Sequence, residues 1–272
     1  MDPDALAPAA ALGTALTSIA GSYDLTTDPA ERSSASQNPA EVLAALMDFS
    51  GSVALAELLA LPAPEGPGLP DARVVGRRLT EEVRARLDAL LPLALKPVSG
   101  RRAPTVPPAH ELHALLREVA PEGVPDAEAA VRIARELGAP LRSALGTSLR
   151  QAQAHVATLR WQIAHEIRAL GPRAERLERI DAALQRSVQG KIGELLDRME
   201  YAAELTFERA CARACTALPE EFGELELASW TASDGWVERF RERCVRMTKA
   251  LFGHLRRSVE GLMRAAIHAE DV

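Results

Sequence analysis

The chain has 272 residues, of which 47 % are apolar but only 4 % aromatic, and it carries a net charge of -6. That length can bury a sizeable core without staples, in one large domain or two small ones, and an aliphatic composition rich in Arg and Glu favours helices packed through small side chains. Three cysteines, Cys211, Cys215 and Cys244, are an odd number set in helix-like text, which argues against a disulfide framework and for a reducing compartment.

The N-terminus places Asp2 and Asp4 where a secretory signal needs positive charge. No run approaches the ~18 uncharged apolar residues that a membrane span requires. A soluble, cytoplasmic protein is expected. Charge is unevenly spread: from Met1 to Glu65 there are nine acids and one base, whereas from Trp236 to Arg264 there are eight bases and three acids. Such asymmetry concerns association rather than fold.

Residues 1–61 form an acidic segment with two short helical patterns, Leu12-Ala15-Leu16-Ile19 and Val42-Leu43-Leu46-Met47, the second continuing through Val53, Leu55, Leu58 and Leu59. Pro62 to Gly68 ends it. Residues 62–108 read as Pro-rich linkers flanking one amphipathic helix, Val75 to Leu91, whose pattern stops at Pro92 and Pro97. Residues 109–272 read as a helical bundle.

The bundle starts with Leu112-Leu115-Leu116-Val119 and a short helix capped by Asp126 and ending at Gly138. From Leu141 apolar residues recur at steps of three or four as far as Leu170, Gly171-Pro172 interrupts, and the pattern resumes through Leu177, Ile180, Leu184, Val188, Ile192, Leu195 and Met199. This spacing predicts two long helices, either a hairpin or one kinked helix. After an acidic connector, Thr231 or Asp234 caps a last helix whose stripe runs from Trp236 to Ala266. The expected fold is all-α, short N-terminal helices followed by an elongated C-terminal bundle of three long helices.

The chemistry search finds no nucleotide-binding glycine loop, no zinc-protease helix and no nucleophile elbow. His110 and His113, three apart, could share a metal but have no further ligand nearby; two polar histidines opening a helix is the plainer reading. Cys211, Cys215 and Cys244 could form a thiolate site, yet serve equally as small apolar residues in a seam. Glu194, Asp197, Glu204 and Glu208 read as a solvated face rather than an acid-base pair. No metal ligand, cofactor or catalytic residue is assigned.

The last helix carries the one binding candidate. Arg239, Arg243, Arg246, Arg257 and Arg264 fall within a sector of about 60°, beside the apolar stripe. Such a stripe suits nucleic acid, an acidic protein surface or an anionic membrane. Alternatively, its arginines snorkel over the bundle and pair with acids on neighbouring helices.

Leu12 to Ile19, Leu43 to Leu55, Ala152 to Ile192 with Leu159-Arg160, Pro172 and the phrase Arg176 to Leu184, and Val259 to Met263 together resemble the soluble F component of type III Zorya anti-phage systems, a proteobacterial family of helical proteins. The family's pattern has tryptophan where Leu46 and Phe49 stand here. The resemblance implies a cytosolic partner of a proton-driven, flagellar-stator-like membrane motor with a long cytoplasmic tail, and it carries no catalytic residues. The expected role is a non-enzymatic interaction or signal-relay component working with other products of a defence operon. The alternative is a nucleic-acid-binding protein or metal-dependent nuclease of the same system.

Overall fold

The computed structural model describes residues 49–62, 64, 66, 71–121 and 123–269. Among them it contains helices and no strand: α1 (Phe49–Ala60), α2 (Ala72–Ser99), α3 (Ala109–Val119), α4 (Ala127–Arg168), α5 (Pro172–Thr216), α6 (Glu224–Thr231) and α7 (Trp236–Ala269). The protein is all-α, and its long helices α4, α5 and α7 are those that the apolar spacing predicts. The pattern around Leu12 and Leu16 lies outside the described residues.

Two compact units divide the chain. Unit 1 comprises residues up to Leu91, Ala152–Leu195 and Ala250 onwards; unit 2 comprises Pro92–Gln151 and Leu196–Lys249. The linear division into 1–61, 62–108 and 109–272 follows prolines along the sequence, whereas these units follow packing, and α2, α4, α5 and α7 each contribute to both.

In unit 1, α4 ends at Arg168 and α5 begins at Pro172. Gly171 has φ 154°, a conformation that favours glycine. Proline suits the first helical position, where its missing amide has no intrahelical acceptor to lose. The two segments then run antiparallel, because Arg168 bonds Glu178 while Arg160, further back along α4, bonds Asp181, further along α5. The hairpin reading therefore holds. Leu159 and Ile163 of α4, Leu184 and Val188 of α5, and Val259 and Met263 of α7 are buried. Gly76 of α2 meets α7 so closely that a Cβ would lie 2.4 Å from Ile267 Cγ1.

The first turns of α5 depart from the expected stripe. Glu178 and Asp181 are buried, while Leu177 and Ile180 are only partly so. A carboxylate tolerates this only with a charged, hydrogen-bonding partner, which Arg168 and Arg160 supply.

Unit 2 revises four local expectations. The helix predicted to end at Gly138 continues through Gly138 and Pro140 to Arg168. Gly138 is there for close packing, since a Cβ would lie 2.8 Å from Phe207 Cδ1. Asp126 does cap it, its Oδ1 accepting from the Ala129 amide at 2.8 Å. The helix expected to stop at Pro92 runs on to Ser99, its last turns held by buried Ala94 and Val98 on one face.

The acidic connector contains α6, which packs on α3. It buries Leu227 and Trp230 and starts where the Gly223 amide donates to Glu226 Oε2 at 2.8 Å. Neither Thr231 nor Asp234 caps α7. Thr231 closes α6 instead, and the Arg239 amide donates to the Gly235 carbonyl. A Cβ at position 235 would lie 2.3 Å from the Trp230 carbonyl oxygen, so only glycine allows that approach.

Cys211, Cys215 and Cys244 are reduced and buried in unit 2. A hydrogen bond with Cys215, and then burial, push the Cys211 thiol far above its ordinary value; burial pushes Cys244 up to about 12. Because the thiolate is the nucleophile, alkylation of Cys244 by iodoacetamide at pH 8 should be on the order of a thousandfold slower in the native protein than in urea. Mass spectrometry of the native protein showing rapid labelling at Cys244 would contradict this burial.

Candidate functional site

A groove of about 840 Å³ lies wholly within unit 1, between the stretches 153–168 of α4 and 178–192 of α5, with Leu255 and Leu262 of α7 and Leu58 of α1 completing its lining. Its lining is mostly apolar. Helical periodicity explains the arrangement. Val156 and Ile192 belong to the buried stripes, and residues one position round each helix carry Arg, Gln and Trp to the rim.

At its base stands a buried ion pair. Arg160 Nε donates to Asp181 Oδ2 at 2.7 Å and Nη2 donates to Oδ1 at 2.8 Å, the two-pronged geometry that suits guanidinium to carboxylate. The same Nη2 donates to Ser258 Oγ at 3.1 Å, tying in α7. Burial holds the Asp181 carboxyl above its ordinary range, opposed by the Arg160 charge and hydrogen bond and reinforced by Glu178. A second pair closes the hairpin end, Arg168 Nε to Glu178 Oε2 at 2.6 Å. Arg176 anchors α1 by donating to the carbonyls of Leu59 at 3.1 Å and Leu61 at 2.7 Å.

The rim differs in character. Trp161 is 80 % exposed, which is unusual for so large an apolar side chain. Arg186 is exposed, and Arg179 reaches only back along its own helix to Glu175 at 2.6 Å. Gln185 Nε2 is withdrawn from water and has no hydrogen-bond partner among the described residues.

The arginine candidates from the sequence are placed as follows. In unit 2, Arg239 donates to the Asp234 carbonyl, Arg246 lies 3.6 Å from Glu242 one turn away, and Arg243 is half-buried beside Cys244. In unit 1, Arg264 Nε donates to the Glu260 carbonyl at 3.4 Å, and Arg257 Nη2 lies 2.8 Å from His254 Nδ1. Burial, and then the Arg257 charge, hold His254 below its usual value, so the neutral ring accepts from the guanidinium. The partners of Arg239, Arg246, Arg257 and Arg264 thus lie on α7 itself or just before it, and not on neighbouring helices as the pairing alternative expects. Arg256 makes the cross-helix contact instead, to Asp88 of α2, while it also holds Glu260 at 2.9 Å.

The acids of α5 in unit 2 are not a bare solvated face either. Arg150 holds Glu200 at 2.7 Å, Arg142 holds Glu204, and Arg135 lies 3.4 Å from Glu208. Burial keeps the Glu200 carboxyl above its ordinary range despite Arg150. His110 is exposed beside Glu111, and His113 packs edge-on against Phe222 with ring centroids 5.7 Å apart. Among the described residues no group of three His, Cys, Asp or Glu side chains is placed to hold a metal, and no helix is long and apolar enough to cross a membrane.

No protein-family model, curated protein or solved structure matches the chain.

Proposed function

We propose that this chain is a non-enzymatic interaction or signal-relay component of an anti-phage defence system, similar to the soluble F component of type III Zorya systems and acting with a stator-like membrane motor. The observation that carries the reading is the groove of unit 1. Two of the phrases on which the resemblance rests, Leu159-Arg160 and Arg176 to Leu184, contain its floor residues Arg160, Glu178 and Asp181. The two acids that line it are each held by an arginine, Asp181 by Arg160 and Glu178 by Arg168, which supports a docking surface.

The test is made in cells that carry the whole operon. Deleting this gene should abolish protection against phage, and tagged protein should co-purify with products of the adjoining motor-like genes. Full protection without the gene, or purification of the protein free of those products, would remove the reading.

The exposure of Arg239, Arg246, Arg257 and Arg264 keeps nucleic-acid binding as the second reading. Replacing the exposed Arg239, Arg246 and Arg257 by Glu should retain helicity, since exposed substitutions each cost within about 0.5 kcal/mol. The parent should show no salt-sensitive binding to duplex DNA in an anisotropy titration. Parental binding that weakens steeply with salt and disappears in a normally folded variant would favour the second reading.

A further inference from the structure

The groove of unit 1 has a chemistry specific enough to name its occupant. Its ionised lining groups are Arg160, Arg168, Arg179, Arg186, Glu178 and Asp181. Both acids are consumed by Arg160 and Arg168, and Arg179 is held by Glu175, which leaves the positive charge of the exposed Arg186 in excess on the α5 wall. Across from it, Trp161 stands exposed on the α4 wall. A large apolar contact beside an uncompensated cation selects a ligand that is apolar on one side and acidic on the other.

We propose that this groove docks an acidic amphipathic helix of a partner protein, with the helix's apolar side over Trp161 and its carboxylates towards Arg186. The sixteen residues 153–168 that line the α4 wall span about 24 Å at 1.5 Å per residue, room for about four turns of a helix lying alongside. Trp161 is the anchor, because an aromatic ring seated in an apolar interface contributes more than the polar contacts around it. The carboxylates select among partners and speed encounter. This assignment rests on the docking role above and adds its site and the partner's chemistry.

The probes are two 18-residue peptides with identical leucine positions at helical spacing, one otherwise Glu-rich and the other with Lys in place of Glu, titrated into the full-length protein. The Glu peptide should bind and shift the emission of Trp161 to the blue, isolated as the difference between the parent and Trp161→Ala. Trp161→Ala and Arg186→Glu should each weaken binding at least tenfold while melting like the parent, because both side chains are exposed. The Lys peptide should not bind.

Equal binding of both peptides, or binding unchanged in Trp161→Ala, would overturn the proposal. So would a Trp161-dependent dimer in sedimentation, which gives the groove to a second copy, or Trp161 quenching by duplex DNA in preference to the Glu peptide. Failure of the Glu peptide while operon products still co-purify removes the groove assignment and leaves the docking role; failure of both removes both.

Discussion

Replacing Arg160 by methionine should lower stability by about 3 kcal/mol at neutral pH, since removing one partner of a buried pair strands the other. The side chains of Arg160 and Asp181 are 13 % and 8 % exposed, so little solvent screens the loss. The loss should also depend on pH. Burial already holds Asp181 above its ordinary range; without Arg160, burial and the Glu178 charge both raise it and nothing named opposes them.

A carboxyl that binds its proton more tightly when folded contributes stability that is fully present below its unfolded value, about 3.9, and is lost as pH rises through its folded value. Urea denaturation of Arg160→Met should therefore show its largest deficit above neutrality and a shrinking one towards pH 5. Arg160→Met with Asp181→Leu should return to within about 1 kcal/mol of the parent, because an apolar pair carries no desolvation cost. A deficit independent of pH would mean that lost packing rather than a stranded charge is responsible.

Phe207→Ala should cost about 4 kcal/mol, the range for truncating a buried aromatic side chain. Phe207 is buried in unit 2, with ring centroids 5.1 Å from Trp236 and 5.0 Å from Phe240, and it presses on the bare backbone of Gly138. That last contact makes a non-additive pair. Gly138→Ala alone sets a clash of 2.8 Å against Phe207 in opposition to a propensity gain of about 1 kcal/mol. In the Phe207→Ala background the clash is gone, so the same substitution should recover about 1 kcal/mol. Denaturation midpoints of the four proteins measure this directly, and simple additivity would contradict the packing described.

The contrast between these two sites shows what the sequence carried. Ile163, Ile167, Leu184 and Val188 recur at helical steps and are all buried, so the long helices were legible from apolar spacing alone. Apolar spacing misled at the start of α5. It favoured Leu177 and Ile180, whereas the buried positions are Glu178 and Asp181, whose burial depends on arginines on another helix. No local pattern reports such a partner. Gly138 misled for a related reason, because a glycine that ends a helix and one that admits a neighbouring ring look identical in sequence. Prolines misled similarly at Pro92 and Pro97, which lie inside a helix that tertiary contacts carry past them.

The candidate site was legible only in part. The arginine stripe of α7 was found by angle, but its angle does not disclose that Arg239, Arg246, Arg257 and Arg264 engage groups on or next to their own helix. The groove is not legible in the sequence because its walls come from two helices joined through the turn at Gly171, and its defining feature is an exposure. A tryptophan within a helical stretch reads as core; only the structure sets Trp161 at a rim.

The central claim is that this chain works by docking a partner on that rim, and photocrosslinking in cells tests it most directly. A benzophenone amino acid in place of Trp161, in cells carrying the complete operon, should yield an adduct with one product of the adjoining genes. The same group in place of Leu225, which is 85 % exposed in unit 2, should yield none. Adducts at position 225 equal to those at 161, or no protein adduct at 161 while protection against phage persists, would contradict the account.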